Sequence, residues 1–133
     1  MRFECQPGCT TCCQQKGHVY LTEEDIVRAA HFLRLSAAEF ERKFVYRTTN
    51  LRRLRVPQDA QCGFLRADGC SIHPAKPTQC RLFPFWPELV DDEKEWTKAG
   101  EWCPGIGQGD LIQIETAHEL TAEMRQAHPR LYP

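Results

Sequence analysis

Four cysteines stand within the first thirteen residues, in the run Cys5-Gln-Pro-Gly-Cys9-Thr-Thr-Cys12-Cys13. A free thiol packs as a small hydrophobe, but the residues between these cysteines offer no apolar run for it to join. Three thiolates spaced by three and two residues on one tight loop can converge instead on a single metal centre. The other four of the eight cysteines, Cys62, Cys70, Cys80 and Cys103, are spread over the rest of the chain. All eight are candidate metal ligands.

The redox compartment decides between this reading and a disulfide framework. No stretch approaches the roughly 18 apolar residues of a membrane span, and the start, Met-Arg-Phe-Glu-Cys, has no apolar signal region. We therefore expect a cytoplasmic protein with no membrane partner. In a reducing cytosol, clustered thiols point to metal or catalysis rather than to disulfides. A bridge between the adjacent Cys12 and Cys13 would also be strained. The net charge of −1 gives no global field to attract nucleic acid. With 133 residues, 41% of them hydrophobic, the chain can bury one core, and 1–133 reads as a single domain.

Local patterns suggest an α+β fold, small and loop-rich, with three or four short helices and a small antiparallel hairpin or sheet organised around the metal. Residues 4–17 read as an irregular loop, and His18 to Leu21 as a short strand. Thr22-Glu23-Glu24-Asp25 has the form of a capping box, and Ile26, Ala29, Ala30 and Leu33 follow at helical spacing. This predicts a helix from about residue 23 to 34. Ser36-Ala37-Ala38-Glu39 predicts a second, with Phe40, Phe44 and Val45 on its apolar face. Leu51 to Val56 reads as a strand. The step Asp68-Gly69 marks a hairpin turn that would bring Cys62 and Cys70 together. A helical turn from Thr78 to Phe83 would carry Cys80. Pro84 and Pro87 frame extended chain, and 91–94 reads as a polar turn. Cys103-Pro-Gly opens a glycine-rich loop. Thr116 to Glu119 reads as a third capping box, before a helix with Ala117, Leu120, Met124 and Ala127 on one face.

Taken together, Cys5-x3-Cys9-x2-Cys12-Cys13, then Cys62-Gly-Phe-Leu-x4-Cys70, Cys80-Arg-Leu-Phe-Pro-Phe and Cys103-Pro-Gly resemble the YkgJ-type cysteine-cluster family. That family is described as a zinc- or iron-chelating domain, so the resemblance implies metal binding without a settled activity. It covers nearly the whole chain from Cys5 to Gly105. The family's aromatic-x2-Arg-Pro before the third downstream cysteine stands here as His73-Pro-Ala-Lys76-Pro77.

Two centres suit such donors. Structural zinc takes four ligands tetrahedrally, often from two pairs of cysteines spaced by two residues. Only Cys9 and Cys12 have that spacing, although eight cysteines could fill two four-thiolate sites. Iron–sulfur clusters accept more varied spacing. The run Cys5-x3-Cys9-x2-Cys12 is similar in spacing to the cluster loop of radical enzymes that use S-adenosylmethionine, and would hold three corners of a four-iron [4Fe-4S] cube. This chain is too short for the barrel of those enzymes. In this reading Cys5, Cys9, Cys12 and Cys13, with one or both of Cys80 and Cys103, form the main site. Cys62 and Cys70 make or complete a second. The functional class is a redox, metal-handling or accessory protein with the metal ion or cluster, and a protein partner, as its ligands. Two alternatives are a structural zinc module that presents a basic face to protein or RNA, and a small enzyme with an open iron position.

The remaining residues read more plainly. His73 and His18 are secondary ligand candidates, while His31, His118 and His128 are expected in solvent. The basic run Arg42, Lys43, Arg47, Arg52, Arg53 and Arg55 reads as a solvated face balanced by acids in the 88–95 segment, with nucleic acid disfavoured. Phe83, Phe85 and Trp86 are expected in the core, and Trp96 and Trp102 as a shield for the site or a partner groove. No phosphate loop, nucleophile elbow or His-Glu-x-x-His motif occurs.

Overall fold

Thr22 starts the first helix by reciprocal capping. Its hydroxyl accepts from the Asp25 N–H at 3.0 Å, and the Asp25 carboxylate accepts from the Thr22 N–H at 3.0 Å. Helix α1, Glu23–Phe32, buries Ile26, Ala29 and Ala30 on one face. It ends before Arg34, which takes a left-handed φ of 60°. Ser36 and Glu39 repeat the capping exchange at the start of α2, Ala37–Phe44. The first two of the three predicted capping boxes are therefore present in the computed structural model. It describes residues 1–6, 9, 11–14, 18–55, 64–66, 69–70 and 72–133, and at positions that include Cys13, Cys70 and His73 the backbone alone.

Val45 leaves α2 and opens strand β2, Val45–Arg47, which pairs antiparallel with β3, Arg52–Leu54. The predicted strand is thus shorter than expected, and Val56 lies outside the described residues. The 18–21 segment runs beside β3. Leu21 donates to the Arg52 carbonyl, Leu54 donates to the Val19 carbonyl, and Tyr20 bridges to Arg53. One core gathers Leu21, Ile26, Ala29, Ala30, Phe40, Val45, Leu54, Phe64 and Ile72 under α1 and α2. The Phe40 and Phe64 rings stack with centroids 6.3 Å apart.

The predicted hairpin is present as β4, Leu65–Arg66, paired with β5, Gly69–Cys70. Its register sets Cys70 opposite Leu65. Its turn residues 67 and 68 lie outside the described residues, as does Cys62.

The second half is more helical than expected. Helix α3 spans Thr78–Leu82, α4 Pro87–Val90 and α5 Glu93–Gly100. Pro87 occupies the first turn of α4, where its missing N–H has no helical partner to lose. Asp92 caps α5, accepting from the Lys94 N–H at 2.9 Å. Trp86 is extended and Asp91 lies in a bend, as the sequence suggested, but helices begin directly after each segment. The final helix α6, Ile114–Ala127, starts one residue after Gln113 and has no side-chain cap. Thr116 lies inside it, so the third predicted capping box does not cap. The chain arrives at α6 directly from a paired segment, with Ile112 donating to the Met1 carbonyl at 2.8 Å.

Where the sequence suggested a glycine-rich loop, residues Ile106–Leu111 form strand β6, paired antiparallel with β1, Arg2–Phe3. The register shifts between Arg2, opposite Leu111, and Phe3, opposite Ile106. Gly107 and Gly109, with φ of 92° and 81°, accommodate that irregularity. Phe3 then meets Phe85 edge-on at 5.8 Å, and Phe85 meets Trp96. Phe83 contacts Trp86 and stacks on Trp102 at 5.3 Å. Trp96 and Trp102 thus each pack on aromatic rings of the segment that follows α3. The architecture is a small α+β fold with six helices among the described residues and three two-stranded antiparallel sheets.

Candidate metal centre

The N-terminal cysteine segment is shaped by short local bonds. The Cys9 N–H donates to the Gln6 carbonyl at 3.1 Å. The Gln6 carboxamide donates back to the Glu4 carbonyl at 2.8 Å. The Cys9 thiol donates to the Thr11 hydroxyl at 3.4 Å. Thr11–Gln14 then winds as a 3-10 turn carrying Cys12 and Cys13. Cys5 and Cys12 are exposed, and Cys9 is half-buried.

Cys103 reaches this segment from the far end of the chain. It is buried at the end of α5, where its N–H donates to the Ala99 carbonyl at 2.9 Å. Two residues on, the Gly105 carbonyl accepts from the Glu4 N–H at 3.0 Å. The approach is close: a Cβ on Gly105 would lie 2.6 Å from the Glu4 carbonyl oxygen and 2.9 Å from the Phe3 ring. Glycine is what permits the Cys103 turn to lie against the Glu4 backbone, next to Cys5. The result is visible in the electrostatics of Cys5. Burial pushes its thiol above the ordinary value, the Lys76 ammonium pulls it down, and Cys9, Cys12 and Cys103 each push it up. Cys5 is thus within electrostatic reach of three other thiols and one cation.

Cys80 is half-buried on α3, and the residues before it are firmly held. The Asp25 carboxylate accepts from the Thr78 N–H at 2.9 Å and from its hydroxyl at 2.7 Å. The Gln79 carboxamide accepts from the Tyr20 N–H at 2.9 Å and donates to the His18 carbonyl at 3.1 Å. Gln79 carries no motif, and the capping box gave no sign that Asp25 also holds Thr78. Lys76 stands where the resembled pattern has arginine.

The other candidates are placed as follows. Cys13 is on the 3-10 turn and Cys70 on β5, while Cys62 lies outside the described residues. Among the described residues, no three His, Cys, Asp or Glu side chains stand close enough together to hold a metal ion as placed. His73 opens a 3-10 turn, His73–Ala75. His18 is hydrogen-bonded to Arg53 at 2.8 Å. His31 and His118 are exposed as expected. His128 corrects its expectation: it is 5% exposed, because α6 ends against the core, and its Nε2 has no hydrogen-bond partner.

Two arginines of the basic run pair with acids, and these are nearer in the chain than the 88–95 segment. Arg47 pairs with Glu41, and Arg52 with Glu23. Arg55 donates to the Val45 and Arg42 carbonyls. Arg53 lies over the Tyr46 ring, 4.6 Å from its centroid. Asp91 pairs instead with Arg125, and Glu95 with Lys98.

Residues 4–104 match the family CxxCxxCC, described as "Putative zinc- or iron-chelating domain". The chain belongs to this family. The matched segment includes all eight cysteines. It departs from the spacing that the name spells, since three residues rather than two separate Cys5 from Cys9. No solved structure matches the chain. No helix among the described residues is long and apolar enough to cross a membrane.

Proposed function

We propose that this protein is a cysteine-ligated metal carrier whose main centre is held by Cys5, Cys9, Cys12 and Cys103. The observation that carries the reading is the approach of Cys103 to the N-terminal loop across the β1–β6 pairing. It brings a fourth thiol within electrostatic reach of a loop that has three. Four thiolates suit either zinc, as a closed tetrahedral site, or an iron–sulfur cluster. When bound, either centre would order the loop and, in the iron case, exchange electrons. Cys13 and Cys80 supply further thiolates to a multi-iron centre, and Cys62 with Cys70 makes or completes a second site. Lys76 offsets part of the negative charge that clustered thiolates accumulate. The role is redox, metal handling or support of a protein partner in the cytoplasm. The paired arginines weigh against the alternative of a basic face for RNA.

Metal analysis, acid-labile sulfide and a visible spectrum on anaerobically purified protein test this reading. Sulfide with brown absorption identifies a cluster, and colourless protein with stoichiometric zinc identifies zinc. Eight freely reactive thiols with no metal would refute it.

A further inference from the structure

The 76–79 segment is bonded to the stretch that follows the N-terminal cysteines in the sequence. The Gln79 carboxamide bonds twice to the backbone of His18 and Tyr20. The segment is itself immobilised. Asp25 holds Thr78 through two bonds, and the Trp86 indole donates to the Gln79 carbonyl at 2.9 Å. The Arg28 guanidinium reaches the Lys76 carbonyl at 3.4 Å. Gln79 thus ties the 18–20 stretch to the helix that carries Cys80, beside the backbone bonds that pair Val19 and Leu21 with β3.

We propose that Gln79 is a positioning residue for the thiolate centre, holding the stretch that follows the Cys5–Cys13 loop so that the loop's sulfurs meet Cys103. This rests on the metal-binding reading above and extends it to a residue that is not a ligand. A carboxamide suits the task because it has both a donor and an acceptor for the two backbone groups. Without these two bonds the stretch has more conformations to lose on binding metal.

The test uses the full chain, stripped of metal by chelator and titrated with Co²⁺, whose thiolate charge-transfer absorption reports ligation. Gln79→Leu keeps the side chain's bulk and removes both bonds. Its Co²⁺ affinity is expected to fall about ten- to a hundredfold, the usual effect of losing a group that orients metal ligands. Gln79→Glu keeps the acceptor for Tyr20 and is expected to recover part of that loss. Ser36→Ala, which removes the α2 cap but neither Gln79 bond, controls for stability. It lowers the melting temperature and should leave affinity unchanged. Wild-type affinity in Gln79→Leu, or an equal loss in Ser36→Ala, overturns the positioning role while leaving the metal reading intact. Failure of the wild-type chain to take up Co²⁺ or Zn²⁺ overturns both.

Discussion

Asp25 and Thr78 are joined by two hydrogen bonds to one carboxylate oxygen, at 2.9 Å and 2.7 Å, although they belong to helices far apart in the sequence. The same carboxylate closes the α1 capping box and accepts from Arg28 at 2.7 Å. Its side chain is fully buried, and Arg28 stays partly in solvent. Removing the carboxylate would leave a buried hydroxyl and N–H without an acceptor. Asp25→Ala is expected to destabilise the fold by about 2–4 kcal/mol, and Thr78→Val by about 1–2 kcal/mol. Urea denaturation measures both. Less than half a kcal/mol for Asp25→Ala would mean that the bonds contribute little.

Gly105 gives a steric prediction. Its missing Cβ is what admits the Glu4 carbonyl and the Phe3 ring. Gly105→Ala must separate β1 from the Cys103 turn and should destabilise by about 1–3 kcal/mol. Gly107 has open space around it but a φ of 92°, so Gly107→Ala acts through backbone strain alone, at about 1–2 kcal/mol. The two separate in metal affinity. Gly105→Ala should weaken binding and Gly107→Ala should not. Equal affinities would detach the Cys103 turn from the site.

These elements differ in how far the sequence revealed them. The capping boxes at Thr22 and Ser36 were legible because each is complete within four residues. The hairpin around Asp68-Gly69 and the helix carrying Cys80 were legible for the same reason. The β1–β6 pairing joins positions a hundred residues apart, and its glycines read locally as loop. Pro87 and Asp92 were visible as punctuation but start helices. His128 was misread because its burial is decided by where α6 docks. The cysteine positions were plain from the start, whereas the approach of Cys103 and the role of Gln79 exist only in the folded chain.

His128 should make stability depend on pH. Burial pushes its imidazole below the ordinary value, while the Asp25 carboxylate pulls it up. The unfolded chain, with an imidazole near pKa 6.5, then binds more protons than the native one as pH falls. Stability is full above that value and is lost as pH drops through it toward the depressed native value. His128→Leu should flatten this part of the profile. Parallel curves for wild type and variant between about pH 7 and pH 5 would show that His128 does not contribute.

Lys76 should set the pH at which metal enters. It lowers the Cys5 thiol against burial and the neighbouring thiols. Binding requires the thiolate and releases its proton. In Lys76→Gln the thiol rises further, so the pH midpoint of Zn²⁺ uptake should move upward. An unchanged midpoint would remove Lys76 from the site.

The central claim is that Cys103 completes a centre begun by Cys5, Cys9 and Cys12. Iron, zinc and sulfide per chain, measured on anaerobically purified wild type, Cys9→Ser, Cys103→Ser and Cys62→Ser, test it most directly. The account predicts that Cys103→Ser loses the main centre as completely as Cys9→Ser, since a serine hydroxyl ligates soft metals poorly. Cys62→Ser should keep that centre at least partly filled. Full occupancy in Cys103→Ser, or a Cys62→Ser chain as empty as Cys9→Ser, would contradict it.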